Sequence, residues 1–115
     1  MRLVGSLSEQ SFREELSKSW SGLREPGNQL FSILTDRLGS IGSAFVLSWI
    51  PEQAEDFYVV LVNGSEVIWL EVLRLNGEAA VFQNIDVKEY ERSLRSRQSR
   101  IKLAVALDLA SKYGK

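Results

Sequence analysis

Neither cysteine nor histidine occurs in the 115 residues. Without cysteine the chain can build neither a disulfide framework nor a thiolate metal site. Without histidine it lacks the usual general base and the commonest zinc ligand, which excludes most hydrolase and metalloenzyme mechanisms. A basic excess is also missing: 14 Lys and Arg stand against 15 Asp and Glu, a net charge of −1. Binding to nucleic acid or to membrane surfaces in bulk usually needs such an excess. No apolar run approaches the roughly 20 residues that span a bilayer, and the opening MRLVGSLSEQ lacks the continuous apolar core of a signal peptide. The glycines form no G-x-G-x-x-G and no G-K-[ST], so no phosphate loop is expected. These absences favour a cytosolic, non-enzymatic protein without metal or cofactor.

What is present is an ordinary globular composition, 44% hydrophobic and 25% charged, in a length that suits one domain over residues 1–115. Ser6 with Glu9 reads as a capping box. Leu7, Phe12, Leu16, Trp20 and Leu23 then recur at helical spacing, predicting a helix over about 7–22. Pro26-Gly27 ends it. Asn28 caps a second helix whose apolar face is Leu30, Phe31, Leu34 and Leu38, closed by Gly39 and Gly42.

From Ser43 the period changes. SAFVLSWI, FYVVLV, EVIWLEVLRL and AAVFQNI are rich in β-branched and aromatic residues, with Asn63-Gly64 and Asn76-Gly77 between the last three. Such dipeptides are strong hairpin signals, and a two-residue turn joins only antiparallel neighbours. The second and third runs are apolar on both sides, so helices must cover much of the sheet. Asp86 and Glu89 read as another capping box, opening a helical region to Tyr113 with a break near residues 96–99, where the apolar stripe stops. IKLAVALDLA must be substantially buried. The expected fold is α+β: two N-terminal helices, a four-stranded antiparallel meander, and a C-terminal helical region packed on the sheet.

The clearest charge feature is the stretch from Leu38 to Leu73, which holds five carboxylates (Glu52, Glu55, Asp56, Glu66, Glu71) and no lysine or arginine. Glu52, Glu55 and Asp56 precede the second strand and Glu66 follows it, at opposite ends about 20 Å apart at 3.3 Å per residue. They could edge one acidic face or simply be solvated strand ends; their spacing does not match a hard-cation loop. Glu71 interrupts an apolar strand beside Trp69, which places both at the margin of the buried surface. Arg92, Arg95, Arg97, Arg100 and Lys102 form a basic segment, of which Arg92, Arg95 and Arg100 could share a helix face. No aromatic residues interleave with them, so a solvated face is favoured over RNA contact. Asp108 belongs on the wet side of its helix or beside an arginine.

The run IPEQAEDFYVVLVNGSEVIWLEVLR, continued through DVKEYERSLRSRQSRIKLAVALDLA, resembles the small immunity proteins of contact-dependent growth inhibition and related bacterial polymorphic toxin systems. The likeness covers roughly Trp49 to Ala110. It lies in the E-Q-A-E-D-x-Y lead into an Asn-Gly hairpin, then V-x-x-Y-x-R before the R-I-K-L-A-V-A-L-D-L-A helix. The resemblance implies a cytoplasmic inhibitor that binds a cognate toxin C-terminal domain one to one and covers its active site or substrate surface. Many such toxins are nucleases, often acting on tRNA, with basic clefts for phosphate. Carboxylates on the inhibitor would then stand in for phosphates. Charge and position, not the family pattern, select Trp49, Glu52, Glu55, Asp56, Tyr58, Glu66, Trp69 and Glu71 as candidate toxin-binding residues. An RNA-binding module and a structural or assembly protein without a toxin partner are the alternatives.

Overall fold

The structure, a computed structural model, describes residues 3–113; Met1 and Arg2 of the opening segment lie outside the described residues. Helix α1 (Leu7–Leu23) starts at the capping serine, Ser6 Oγ accepting the Glu9 N–H at 3.2 Å. The glutamate does something further. Its carboxylate is buried and accepts the N–H groups of Val4 (2.8 Å) and Gly5 (2.7 Å). The Val4 amide is the main cause holding Glu9 below the usual carboxylate range, against the opposing effect of burial. Leu7, expected on the apolar stripe, is 82% exposed; in the first turn it extends beyond the core that Leu16, Trp20 and Leu23 reach.

Helix α2 (Gln29–Leu38) begins at Asn28, whose Oδ1 accepts the Phe31 N–H at 2.9 Å while its amide nitrogen donates to the Gly22 carbonyl at 3.2 Å. One side chain thus caps the second helix and ties it to the first. The strands β1 (Ala44–Pro51), β2 (Glu55–Val62), β3 (Glu66–Leu73) and β4 (Ala79–Asp86) pair in sequence order, all antiparallel. At the β2–β3 turn, Asn63 and Gly64 both take positive φ (55° and 69°), a conformation these two residue types tolerate. The Asn63 amide has a second role: its Oδ1 accepts the Gly42 N–H at 2.6 Å and its nitrogen donates to the Ser40 carbonyl at 3.3 Å. The turn therefore holds the loop that leads from α2 into β1.

Antiparallel partners share a face of the sheet, and successive residues alternate between faces. On one face the cross-strand rows are Val46, Val60, Ile68, Asn84 and then Trp49, Tyr58, Leu70, Phe82. Helix α2 lies over this face, with the Arg37 guanidinium 4.8 Å from the Phe82 ring centroid. On the other face the rows are Phe45, Leu61, Val67, Ile85, then Ser48, Val59, Trp69, Gln83, then Ile50, Phe57, Glu71, Val81. Val60, Leu61 and Val62 are all fully buried although they alternate between faces. Helical cover on both sides of that end of the sheet is the reason. Helix α1 packs on β1, where Ser19 Oγ accepts the outward N–H of Val46 at 3.1 Å next to a register irregularity between Val46 and Ser48.

The C-terminal region is α3 (Val87–Ser93) and α4 (Arg97–Ser111). The break falls at residues 94–96, and Ser96 caps α4 by accepting the Ser99 N–H at 2.9 Å. Asp86 caps α3 through the Lys88 N–H at 2.9 Å rather than through Glu89; its side chain reaches only two residues on, as in an Asx-turn. Helix α4 packs on α1 and β1 and buries Ile101, Leu103, Val105, Ala106 and Ala110, with Leu107 and Leu109 only half-buried. Asp108 pairs with Arg13 of α1 at 2.7 Å. Among the described residues no helix is long and apolar enough to cross a membrane.

Candidate functional site

Helical cover stops part-way along the sheet. In β3, Val67 is fully buried, yet Trp69, two residues on and on the same face, is 48% exposed. Beyond it lies the row Ile50, Phe57, Glu71, Val81, in which Ile50 is 53% and Val81 36% exposed while Phe57 and Glu71 are partly buried. Together with Val59 these residues line a depression of about 180 Å³. Loose single apolar side chains on a surface need no explanation, but a contiguous group on one sheet face is a candidate interaction surface.

Two carboxylates border it. Glu71 lies in the last of these rows, and Glu55 lies one row further on the same face, opposite Leu73. Partial burial, followed by the negative charge of Glu55, pushes the Glu71 carboxyl above its usual range. The closest arginine in sequence does not relieve this. Arg74 reaches the opposite face, where its NH2 group meets Asp56 Oδ1 at 2.9 Å and its Nε donates to Oδ2 at 3.2 Å. Among the described residues, neither Glu55 nor Glu71 forms an ion pair.

The eight sequence candidates are thereby divided. Glu55, Trp69 and Glu71 come together on the open face. Trp49, Asp56 and Tyr58 lie on the other face and are largely engaged with one another: the Trp49 indole N–H donates to Asp56 Oδ1 at 3.1 Å. The Arg74 hydrogen bonds keep the Asp56 carboxyl below its usual range. Tyr58 is raised, first by burial and then by the Asp56 charge. Glu52 is in the exposed β1–β2 turn, and Glu66 pairs with Val62 and Asp86 at the far end of the sheet. The carboxylates therefore do not form one acidic face.

The arginine segment is dispersed too. Arg92 is on α3, Arg95 in the break and Arg100 on α4, so these three do not share a helix face, and all are exposed, as the favoured solvated reading has it. Arg100 donates to the Leu94 carbonyl at 3.1 Å, and Lys102 pairs with Glu15 of α1 at 2.6 Å. A wider cleft of about 860 Å³ opens beside α1 and β1, with Trp49 and Tyr58 in its wall. Its facing charges, Glu15 and Lys102, already neutralise each other.

No protein-family model matches the chain, and no curated protein or solved structure is significantly similar to it. The candidate site therefore stands on its own residues. Sequence reasoning singled out Trp69 and Glu71 but passed over Ile50, Phe57, Val59 and Val81. The available signal was period two applied across all three hairpins, which puts all of them on the Trp69 face. Among the described residues no group of three His, Cys, Asp or Glu side chains could hold a metal ion. The depression beside Glu55 and Glu71 is walled chiefly by Ile50, Phe57, Val59, Trp69 and Val81, an arrangement suited to docking.

Proposed function

We propose that this chain is a cytoplasmic immunity protein that binds and neutralises a cognate bacterial toxin domain, one to one, without catalysis or a cofactor. A nuclease, such as one acting on tRNA, is the toxin class that suits it, since a nuclease presents a basic cleft to which the carboxylates of Glu55 and Glu71 are complementary. The resemblance of residues 49–110 to the immunity proteins of contact-dependent growth inhibition gives the direction. The observation that carries the reading is the uncovered part of the sheet, where Ile50 and Trp69 stand half-exposed beside Glu55 and Glu71. An aromatic residue with a charged rim is the composition of an interface centre.

The test is the product of the gene immediately upstream. Co-expression should restore growth to cells that the upstream product arrests, and the two purified proteins should form a one-to-one complex by light scattering. Association should slow as salt rises, because steering between opposite charges is screened. Failure of both the complex and the growth rescue would refute the proposal.

A further inference from the structure

The acid pair and the apolar depression are neighbours on one face, and this combination selects among occupants. Rows in a sheet are spaced so that a diagonal neighbour is about 7–8 Å away, within reach of a single long side chain. A membrane surface or a nucleic acid would bring phosphates against Glu55 and Glu71. A second copy of the chain, docked by two-fold symmetry on the same patch, would bring four carboxylates into one interface. Each would bury like charges together. A cation would instead meet two carboxylates that no basic side chain among the described residues has claimed, because Arg74 is committed to Asp56 on the opposite face.

We infer that the open half of this sheet face docks a basic, apolar segment of a partner protein. An apolar side chain of that segment fills the depression between Ile50, Trp69 and Val81, and an adjacent lysine or arginine bridges Glu55 and Glu71. This deepens the toxin-binding reading by naming the face and the chemistry of the contact segment, and it rests on that reading for the partner's identity. A lysine or arginine arriving there favours the ionised form of Glu71, which burial and the Glu55 charge disfavour in the free protein. The apolar contact removes Trp69 and Ile50 from water in the same step. Trp49, although 59% exposed, takes no part, since it faces the other way and is held by Asp56.

Two measurements test the inference separately from the toxin reading. In the first, the ¹⁵N-labelled protein is titrated with a capped octapeptide alternating lysine and leucine, and with its glutamate-for-lysine counterpart. The lysine peptide should move the Trp69 indole N–H and the amides of Ile50, Phe57, Val59, Glu71 and Val81, leaving the Trp49 indole in place. Glu71→Lys should weaken it by at least about tenfold, the scale of one lost interfacial contact. Absence of binding at millimolar peptide, shifts centred on Trp49, or equal binding of the glutamate peptide would overturn the inference.

In the second measurement, the upstream gene product is bound to wild type, to Trp69→Ala, to Glu71→Lys and to Trp49→Ala. The Trp69 and Glu71 variants should each lose at least about tenfold in affinity and the Trp49 variant much less. A tight complex indifferent to Trp69 and Glu71 overturns the inference and leaves the toxin reading standing. No complex at all, with the lysine peptide still mapping to Trp69, removes the toxin reading and leaves the docking surface.

Discussion

Leu61 and Val59 lie two residues apart on the same face of β2, and they separate the covered half of the sheet from the open half. Leu61 is fully buried and Val59 only partly. Replacing Leu61 by alanine deletes three buried carbons and leaves a cavity, a change that costs about 2–5 kcal/mol in a packed core. Val59→Ala removes two methyl groups from a position already partly wet, which should cost about 1 kcal/mol or less. An unfolding entropy near 2.1 cal/mol/K per residue gives about 0.24 kcal/mol/K for a chain of this length, so 1 kcal/mol corresponds to roughly 4 °C. Thermal unfolding followed by circular dichroism should therefore place Leu61→Ala roughly 8–20 °C below wild type and Val59→Ala within about 4 °C of it. Urea titrations should give the same ordering with an unchanged slope, since neither change alters the surface exposed on unfolding by much. Equal losses at the two positions would mean that the helices cover this face evenly, and the docking surface would lose its structural basis.

Asn63→Ala should cost about 1–3 kcal/mol, because it strains a positive φ and removes the hydrogen bonds to Gly42 and Ser40. Asn63→Gly should recover the backbone part alone, and urea midpoints of the two variants separate the contributions. The pH dependence has two opposing signs. Glu9, lowered in the folded protein, adds stability that is whole above the unfolded glutamate range and is lost as pH falls through its lower folded value. Glu71, raised, does the reverse: its ionisation at neutral pH costs stability, and the cost disappears as pH falls through its raised value towards the unfolded one. Glu71→Gln should accordingly raise the melting temperature at pH 7 but not at pH 4, and a gain of the same size at both would refute the assignment. Gly77→Ala should lose more than about 1 kcal/mol, since φ there is +70° and a Cβ would overlap the Gln29 side-chain amide. Trimming Gln29 to serine in that background should restore only the steric part of the melting-temperature loss.

Local signals in the sequence were sufficient for the elements and their order. Ser6, Asn28 and Asp86 each cap the helix that follows them, because a cap is decided within a few residues by one side-chain oxygen and nearby amides. Asn63-Gly64 imposes an antiparallel hairpin for the same reason, although the turn has three residues, Asn63 to Ser65 between the paired Val62 and Glu66, where the dipeptide suggested two. Glu71 was legible as the margin of the buried patch beside a partly exposed Trp69. Its lack of a cation was not, nor was the ion pair that takes Asp56 out of the acidic group. Arg74 and Asp56 are 18 residues apart, and only the β2–β3 register puts them on one face. The extent of helical cover was equally out of reach. Val67 and Trp69 have the same strand, the same face and the same period, yet one is buried and the other half-exposed. Period two specifies which way a side chain points; how far a helix extends across the sheet, and hence whether that side chain meets protein or water, is settled only when the layers pack.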